Sequence, residues 1–357
     1  MREGWEYKKL NEVCDKGSSN IVINKLIDNN GDYPLYGASG LIKDIDFYHQ
    51  DKRYIGIVKD GAGVGRVNIY PAFSSLVGTM QYIFPKEGYS LDFIKYFLIK
   101  LDLSHCVSGA TIPHIYFKDY GKELIPTPSL DAQLEIVSEL DKINELIRLK
   151  KEQLKDFDNL AQSIFYEMFG EGKCLRKKLK DIVKIQSGQV SPLEEPYSEM
   201  IHIGPANIES NTGRLLNLKT AKEENLISGK YLFDSSMVLY SKIRPNLNKV
   251  TIPSFEGICS ADMYPIIPLE SIDKNFLLFL LKQKEFLTYA ISNSGRANIP
   301  KINREDLLNY EAILPPLPLQ HLFAHRIEQT EHQKSEVQKA ITDLETLLAS
   351  RMQYWFE

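Results

Sequence analysis

Two stretches of this chain carry a narrow helical stripe of apolar positions that runs much longer than any other. Between residues 131 and 169 one row is Leu140, Ile147, Leu154, Ala161 and Met168, and a second is Ile143, Lys150, Phe157 and Ile164. Steps of three and four alternate, which is the a/d spacing of a coiled-coil seam held over about four heptads. The seam recurs at Ile327, Thr330, Lys334, Val337, Ile341, Leu344, Leu348, Arg351 and Trp355. Each stretch predicts a helix on the order of 60 Å long at roughly 1.5 Å per residue. Pro128 and the group Pro315, Pro316 and Pro318 stand at or near the starts, where proline can begin a helix, and Gly170 closes the first. A stripe this narrow would stay wet on a lone helix, so the two are expected to pair, antiparallel if a pseudo-twofold relates the halves.

The remainder alternates in the manner of strands: YIGIV (54–58), VNIYPAF (67–73), MQYIF (80–84), SMVLY (236–240) and NKVTIP (248–253). Apolar helices are predicted over LDFIKYFLIKL (91–101) and KNFLLFLLKQKEFL (274–287). The order of elements is duplicated. TIPHIYFKDY and NIPKINREDL place Pro113 and Pro300 187 residues apart, and the same offset takes Pro128 to Pro315, Gln133 to Gln320 and Phe169 to Phe356. YKKLNEV from Tyr7 matches RKKLKDI from Arg176 at an offset of 169, so the second copy holds 18 extra residues before its Ile-Pro. The reading is a mixed α/β fold of two pseudo-symmetric globular domains, 1–128 and 171–314, each followed by a long helix, 129–170 and 315–357.

Composition narrows the function. A chain of 357 residues that is 43% hydrophobic and 25% charged suits two domains with real cores. Cys14, Cys106, Cys174 and Cys259 form no CxxC pair, which predicts reduced thiols in a cytoplasmic protein. No apolar run reaches about 18 residues, so no membrane span is expected, and MREGWEYKKL lacks the apolar core of a leader. The net charge of −4 is uneven: residues 131–170 hold nine acids and five bases, and residues 318–357 hold six and four. The helices therefore carry the acidic balance, and a nucleic-acid role for the rest survives.

The chain carries no recognisable catalytic motif. KDGAGVGRV has the glycines of a nucleotide loop, but β-like VNIYPAF follows it where a helix would be required, so a glycine hairpin is the reading. No P-loop lysine signature, no Asn-Pro-Pro-aromatic motif and no paired metal motif occurs. His321 and His325 are one helical turn apart without a third ligand, so no metal and no cofactor are expected. Each domain offers instead basic and amide side chains on bent loops. The first has Lys59 and Arg66 around the glycines, then His114, Tyr116 and Lys118 after the Ile-Pro. The second has Lys242, Arg244, Asn246, Asn248 and Lys249 in SKIRPNLNKV, then Arg296, Asn298 and Lys301 around its Ile-Pro. Arg and Lys suit phosphates and guanine edges, and Asn pairs with adenine.

These elements, in this duplicated order, resemble the specificity subunits of type I restriction–modification systems. The likeness rests on the [Y/R]KKL starts, LYSKIRPNLNKV, SGATIPHIYFKDY with GRANIPKINREDL, and the Pro-rich leads IPTPSLDAQLEIVSELD and LPPLPLQHLFAHRI. The resemblance implies two target-recognition domains reading a bipartite duplex target, and an antiparallel coiled coil that spaces them. It implies a non-catalytic subunit that docks modification subunits, two in number, with restriction subunits joining through the complex. The partners, not this chain, would bind S-adenosylmethionine and methylate a flipped adenine. Acidic helix faces including Glu135, Glu139, Glu328 and Glu331 are expected to contribute to docking. DGAGVGRV departs from RPNLNK, which argues against carrying contacts from one half to the other. Two alternatives are a coiled-coil scaffold that binds no DNA, and a stand-alone DNA-modifying enzyme with an unrecognised site.

Overall fold

The computed structural model describes residues 5–109, 111–170, 174–295 and 298–357. They form two compact units: Met1–Gln153 with Val337–Glu357, and Leu154–Glu336. Each unit takes part of each long helix.

In the first unit a four-stranded antiparallel sheet runs Cys14–Ser18, Met80–Pro85, Tyr54–Val58, Val67–Tyr70. A smaller sheet holds Gly40–Ile45, Tyr33–Gly37 and Ser75–Leu76, the last pair parallel. Helix Leu91–Leu101 begins where the Ser90 hydroxyl accepts from the Phe93 N–H and ends at Asp102, whose φ is 48°. It buries Phe93, Ile94, Phe97 and Leu98 in a core shared with Ile55, Ile57 and Ile83 of the sheet. The second unit repeats this with Val183–Ile185, Met263–Pro268, Val238–Ser241 and Val250–Thr251, covered by helix Lys274–Lys282. Its other sheet has five strands.

The repeat is kept in the strand register. Glu6 pairs with Thr127 in one unit and Leu175 with Leu314 in the other, which are the 169 and 187 offsets acting on one antiparallel pair. Between them an offset of 183 carries Met80–Pro85 onto Met263–Pro268 and Leu91 onto Lys274. The insertion is therefore split. Most of it enlarges the second sheet, and four residues fall between the apolar helix and the Ile-Pro. One expected helix is broken: 274–287 divides into Lys274–Lys282 and Lys284–Ser292 because Gln283 adopts an extended backbone (ψ 145°).

The long helices span Leu130–Phe169 and Leu317–Phe356, 40 residues each. Leu140, Ile143, Ile147 and Ala161 are buried in the first, and Thr330, Val337 and Ile341 in the second. Leu154, Phe157, Ile327, Leu344 and Leu348 are half-buried, with exposed residues between them. Within the first unit Glu139 meets Arg351 and Lys151 meets Glu345 (2.7 Å), so one helix rises as the other falls. Within the second, Asp158 meets Lys334 (2.8 Å) and Phe165 meets Phe323, again antiparallel. The seam lysine Lys334 keeps its charge by pairing with Asp158 and with Glu331 at 3.1 Å. Glu139, expected on an outer docking face, lies instead beside the seam. Its carboxylate accepts from the Arg351 guanidinium and the Trp355 indole, and the arginine holds its pKa below the usual carboxylate range.

The helix ends finish the two cores. Phe356 packs on Phe93 (ring centroids 5.1 Å), and Phe169 packs on Phe276 (5.4 Å). These are the same contact under the repeat, and in each unit the plug comes from the other half's helix. Buried Gln133 and Gln320 fix each helix start. Gln133 accepts from the Ser90 N–H (2.9 Å) and donates to the Pro128 (3.0 Å) and Gly88 (3.3 Å) carbonyls. Gln320 accepts from the Asp273 N–H (2.8 Å) and donates to the Pro315 (2.7 Å) and Ser271 (3.0 Å) carbonyls. Each glutamine thus ties its own helix to the cap of the apolar helix before it. Gln133→Leu leaves the Ser90 N–H unpaired and should cost about 1–3 kcal/mol. Faster hydrogen exchange in helix Leu91–Leu101 is the expected reading, and unchanged exchange would show the tie to be idle.

Candidate nucleic-acid interface

The glycine loop of the first unit and the RPNLNK loop of the second are tied down by matching main-chain hydrogen bonds. In the first, the Val58 N–H donates to the Arg66 carbonyl (3.0 Å), Gly61 N–H to Pro113 (2.8 Å) and Ile115 N–H to Lys59 (2.9 Å). In the second, Ser241 donates to Lys249 (3.0 Å), Arg244 to Pro300 (2.7 Å) and Ile302 to Lys242 (3.0 Å). Two left-handed positions also coincide: Gly61 (φ 83°) and Gly65 (85°) match Arg244 (49°) and Asn248 (47°), whereas Gly63 (84°) has no left-handed counterpart at Asn246. Lys59–Arg66 is therefore the counterpart of Lys242–Lys249, position for position. The expected departure of DGAGVGRV from the second loop holds at the tip, in side chains and in the backbone at Gly63, while the ends of the two loops are anchored alike. Glycine enters the left-handed region without strain and asparagine tolerates it, so unlike residues fill the two shared left-handed positions. The signal available in the sequence was the shared Lys and basic-residue spacing across eight positions.

In both units the loop is hydrogen-bonded to the Ile-Pro segment, so the residues expected from each meet at one place. In the first unit Arg66 is exposed, with one guanidinium nitrogen donating to the Ala38 carbonyl (2.8 Å). Lys59 is ion-paired with Asp60. The half-buried His114 ring meets Tyr116 edge-on at 4.9 Å, and the Lys118 ammonium lies 5.2 Å from the Tyr116 ring centre; Tyr116 and Lys118 are exposed. In the second unit Arg244, Asn246, Asn298 and Lys301 are exposed. Arg296 lies outside the described residues.

Three expected contact residues have other roles. Asn248 is buried, and its amide donates to the Lys282 carbonyl (3.4 Å) where the apolar helix breaks; it shapes the turn. The Lys242 ammonium donates to the Ala261 carbonyl (2.5 Å) near Asp262, and that of Lys249 to the Pro205 carbonyl (2.6 Å). These lysines anchor the loop from beneath. His321 and His325 do not converge: the first faces Asp273 at 4.0 Å, the second Gln329 at 3.3 Å. Among the described residues His105, Cys106 and Glu123 bring possible metal-binding atoms within 4.8 Å of one another, a grouping the sequence did not reveal. Its geometry is accounted for by ion pairing: the Asp102 carbonyl, then Glu123 at 3.3 Å, raise the His105 pKa and favour the imidazolium.

The shared turn makes a prediction. Asn248→Gly, which copies Gly65, should leave stability and DNA affinity close to those of the parent chain. Asn248→Val, β-branched and left-handed, should lower the unfolding free energy by about 1–3 kcal/mol. Equal effects of the two in thermal unfolding would contradict a turn-forming role.

Two segments of the chain, residues 2–156 and 175–346, match the family model described as the type I restriction modification DNA specificity domain. The chain is 26% identical over 386 residues to the EcoDI specificity subunit of Escherichia coli, covering 95% of this chain and 84% of that protein. It is 25% identical to the MjaVIII specificity subunit of Methanocaldococcus jannaschii, covering 81% and 76%. The fold is similar to the crystal structure of a type I restriction-modification S subunit from M. genitalium, with a TM-score of 0.61 at 15% identity, covering 100% of this chain and 98% of that one.

Proposed function

From the premise that the chain belongs to the type I restriction-modification DNA specificity family, and so is a specificity subunit that recognises a DNA target and assembles with other subunits, we propose that its two loop clusters read the two halves of a bipartite duplex target. Residues 1–128 and 171–314 are the target-recognition domains in this reading, and 129–170 with 315–357 are the helices that set the unread gap. The observation that carries it is the duplicated loop: one set of main-chain ties to the Ile-Pro segment, present once per unit, holding two different tips. Two copies with different tips suit two different half-sites. The exposed residues of the clusters, with the half-buried His114, are the contact set: Arg66, His114, Tyr116 and Lys118 for one half, and Arg244, Asn246, Asn298 and Lys301 for the other. The chain positions modification subunits that methylate adenine, two in number, and restriction subunits join through the complex. Among the described residues no helix is long and apolar enough to cross a membrane, and the cytoplasm, where DNA and these partners reside, is the proposed location.

Arg244→Ala tests base reading. If Arg244 contacts a base edge, specific binding should weaken by about 1–3 kcal/mol and discrimination should relax at one position of one half-site. Equal loss on all sequences would make Arg244 a phosphate contact, and unchanged binding would remove it from the site.

The docking face is better sought in apolar side chains than in Glu139. Leu134 and Leu146, 51% and 48% exposed, line a groove on the first long helix with Val137, Ser138, Asp141, Lys142 and Glu145. We assign this groove to a modification subunit, because large apolar residues this exposed mark contact surfaces. The double change Leu134→Ser with Leu146→Ser should cut co-purification of that subunit at least about tenfold, which is about 1.4 kcal/mol, and leave the helical circular dichroism intact. Undiminished co-purification would place docking elsewhere.

A further inference from the structure

The two loop tips offer a ligand different things. Where the second unit carries Arg244, Pro245 and Asn246, the first carries Gly61, Ala62 and Gly63. Most main-chain donors of the first loop are occupied: Gly61 N–H by Pro113, Val64 by Gly61 (3.2 Å), Gly65 by Val58 (2.8 Å) and Arg66 by Gly63 (3.1 Å). The N–H groups of Ala62 and Gly63 donate to no acceptor among the described residues, and both residues are exposed.

Gly63 has φ 84°, and the Arg66 side chain is folded over it. A Cβ built on Gly63 would lie 2.9 Å from Arg66 Nη2 and 3.1 Å from its Cζ, so a larger residue here would displace the guanidinium. Asp60, which precedes the turn, is ion-paired with Lys59. Consecutive free N–H groups at a left-handed turn make a concave seat for an anion, and a guanidinium beside it adds charge and a fork of donors that suits phosphate oxygens.

We infer that the Ala62–Gly63 turn and Arg66 form a seat for one phosphodiester of the DNA backbone, so this loop holds the duplex without reading it. The matching loop presents Arg244 and Asn246, side chains able to read base edges. The first half-site is then read from the Ile-Pro segment, by His114, Tyr116 and Lys118. This inference rests on the DNA-binding reading above.

The test uses the full chain purified with its modification subunits. Binding to a duplex carrying its target motif and to an unrelated duplex of equal length is titrated across salt. Arg66→Ala should weaken both duplexes by the same factor. Its plot of log affinity against log salt should be shallower by about 0.9, so between about 50 and 200 mM salt it loses about threefold less affinity than the parent. Arg66→Lys should restore the slope. Ala62→Pro removes one seat N–H at the place where the second loop carries Pro245, and proline ahead of a left-handed glycine suits such a turn; it should weaken both duplexes equally at unchanged slope. The inference is overturned if Arg66→Ala relaxes discrimination at a base pair while sparing unrelated DNA, or if neither variant alters binding to unrelated DNA. Arg244→Ala is run alongside: failure to lose target preference there sinks the base-reading proposal alone, because the Arg66 slope is measured on unrelated DNA.

Discussion

A 40-residue helix with a seam only two positions wide per heptad cannot stand alone in water, and the architecture follows from how that seam is covered. Pairing the two helices antiparallel brings the end of each into the unit built mostly from the other half. Phe356 therefore fills the first core and Phe169 the second. Neither unit is complete without residues from both halves of the sequence. The buried glutamines then fix where each helix leaves its domain, through a helix cap and a proline carbonyl. Apolar burial supplies the stabilisation, and the hydrogen bonds select one geometry.

On that support each unit presents the same hairpin loop, tied to the same Ile-Pro segment. The tie fixes the loop by main-chain hydrogen bonds, leaving its tip free to vary. In the second unit the lysines beneath the loop are held by carbonyls, and Arg244 and Asn246 are left outward. In the first the tip is bare backbone beside one arginine. Divergence of this kind suits a subunit whose two halves meet different DNA: the scaffold is repeated and the chemistry at its tips is not.

The seam, the two offsets and the apolar helix 91–101 were legible because each is a periodic pattern of local origin. The loop equivalence was not, because the shared features are long-range main-chain ties and two left-handed positions, filled by Gly65 in one unit and Asn248 in the other. The roles of Asn248, Lys242 and Lys249 were also hidden. Their acceptors, Lys282, Ala261 and Pro205, are distant along the chain, and composition cannot reveal whether an ammonium faces solvent or a carbonyl. Glu139 misled for a similar reason, since its partners Arg351 and Trp355 lie more than 200 residues away. Local pattern gave the plan, and long-range hydrogen bonds decided which polar residues remain available.

The central claim is that one chain with two reading units specifies a target of two separated parts. Methylome sequencing of cells with the gene, without it, and complemented tests this most directly. The account predicts a modified-adenine motif of two defined half-sites around an unread gap, lost on deletion and restored on complementation. A modification pattern unaffected by the gene, or a single uninterrupted motif that depends on it, would contradict the account.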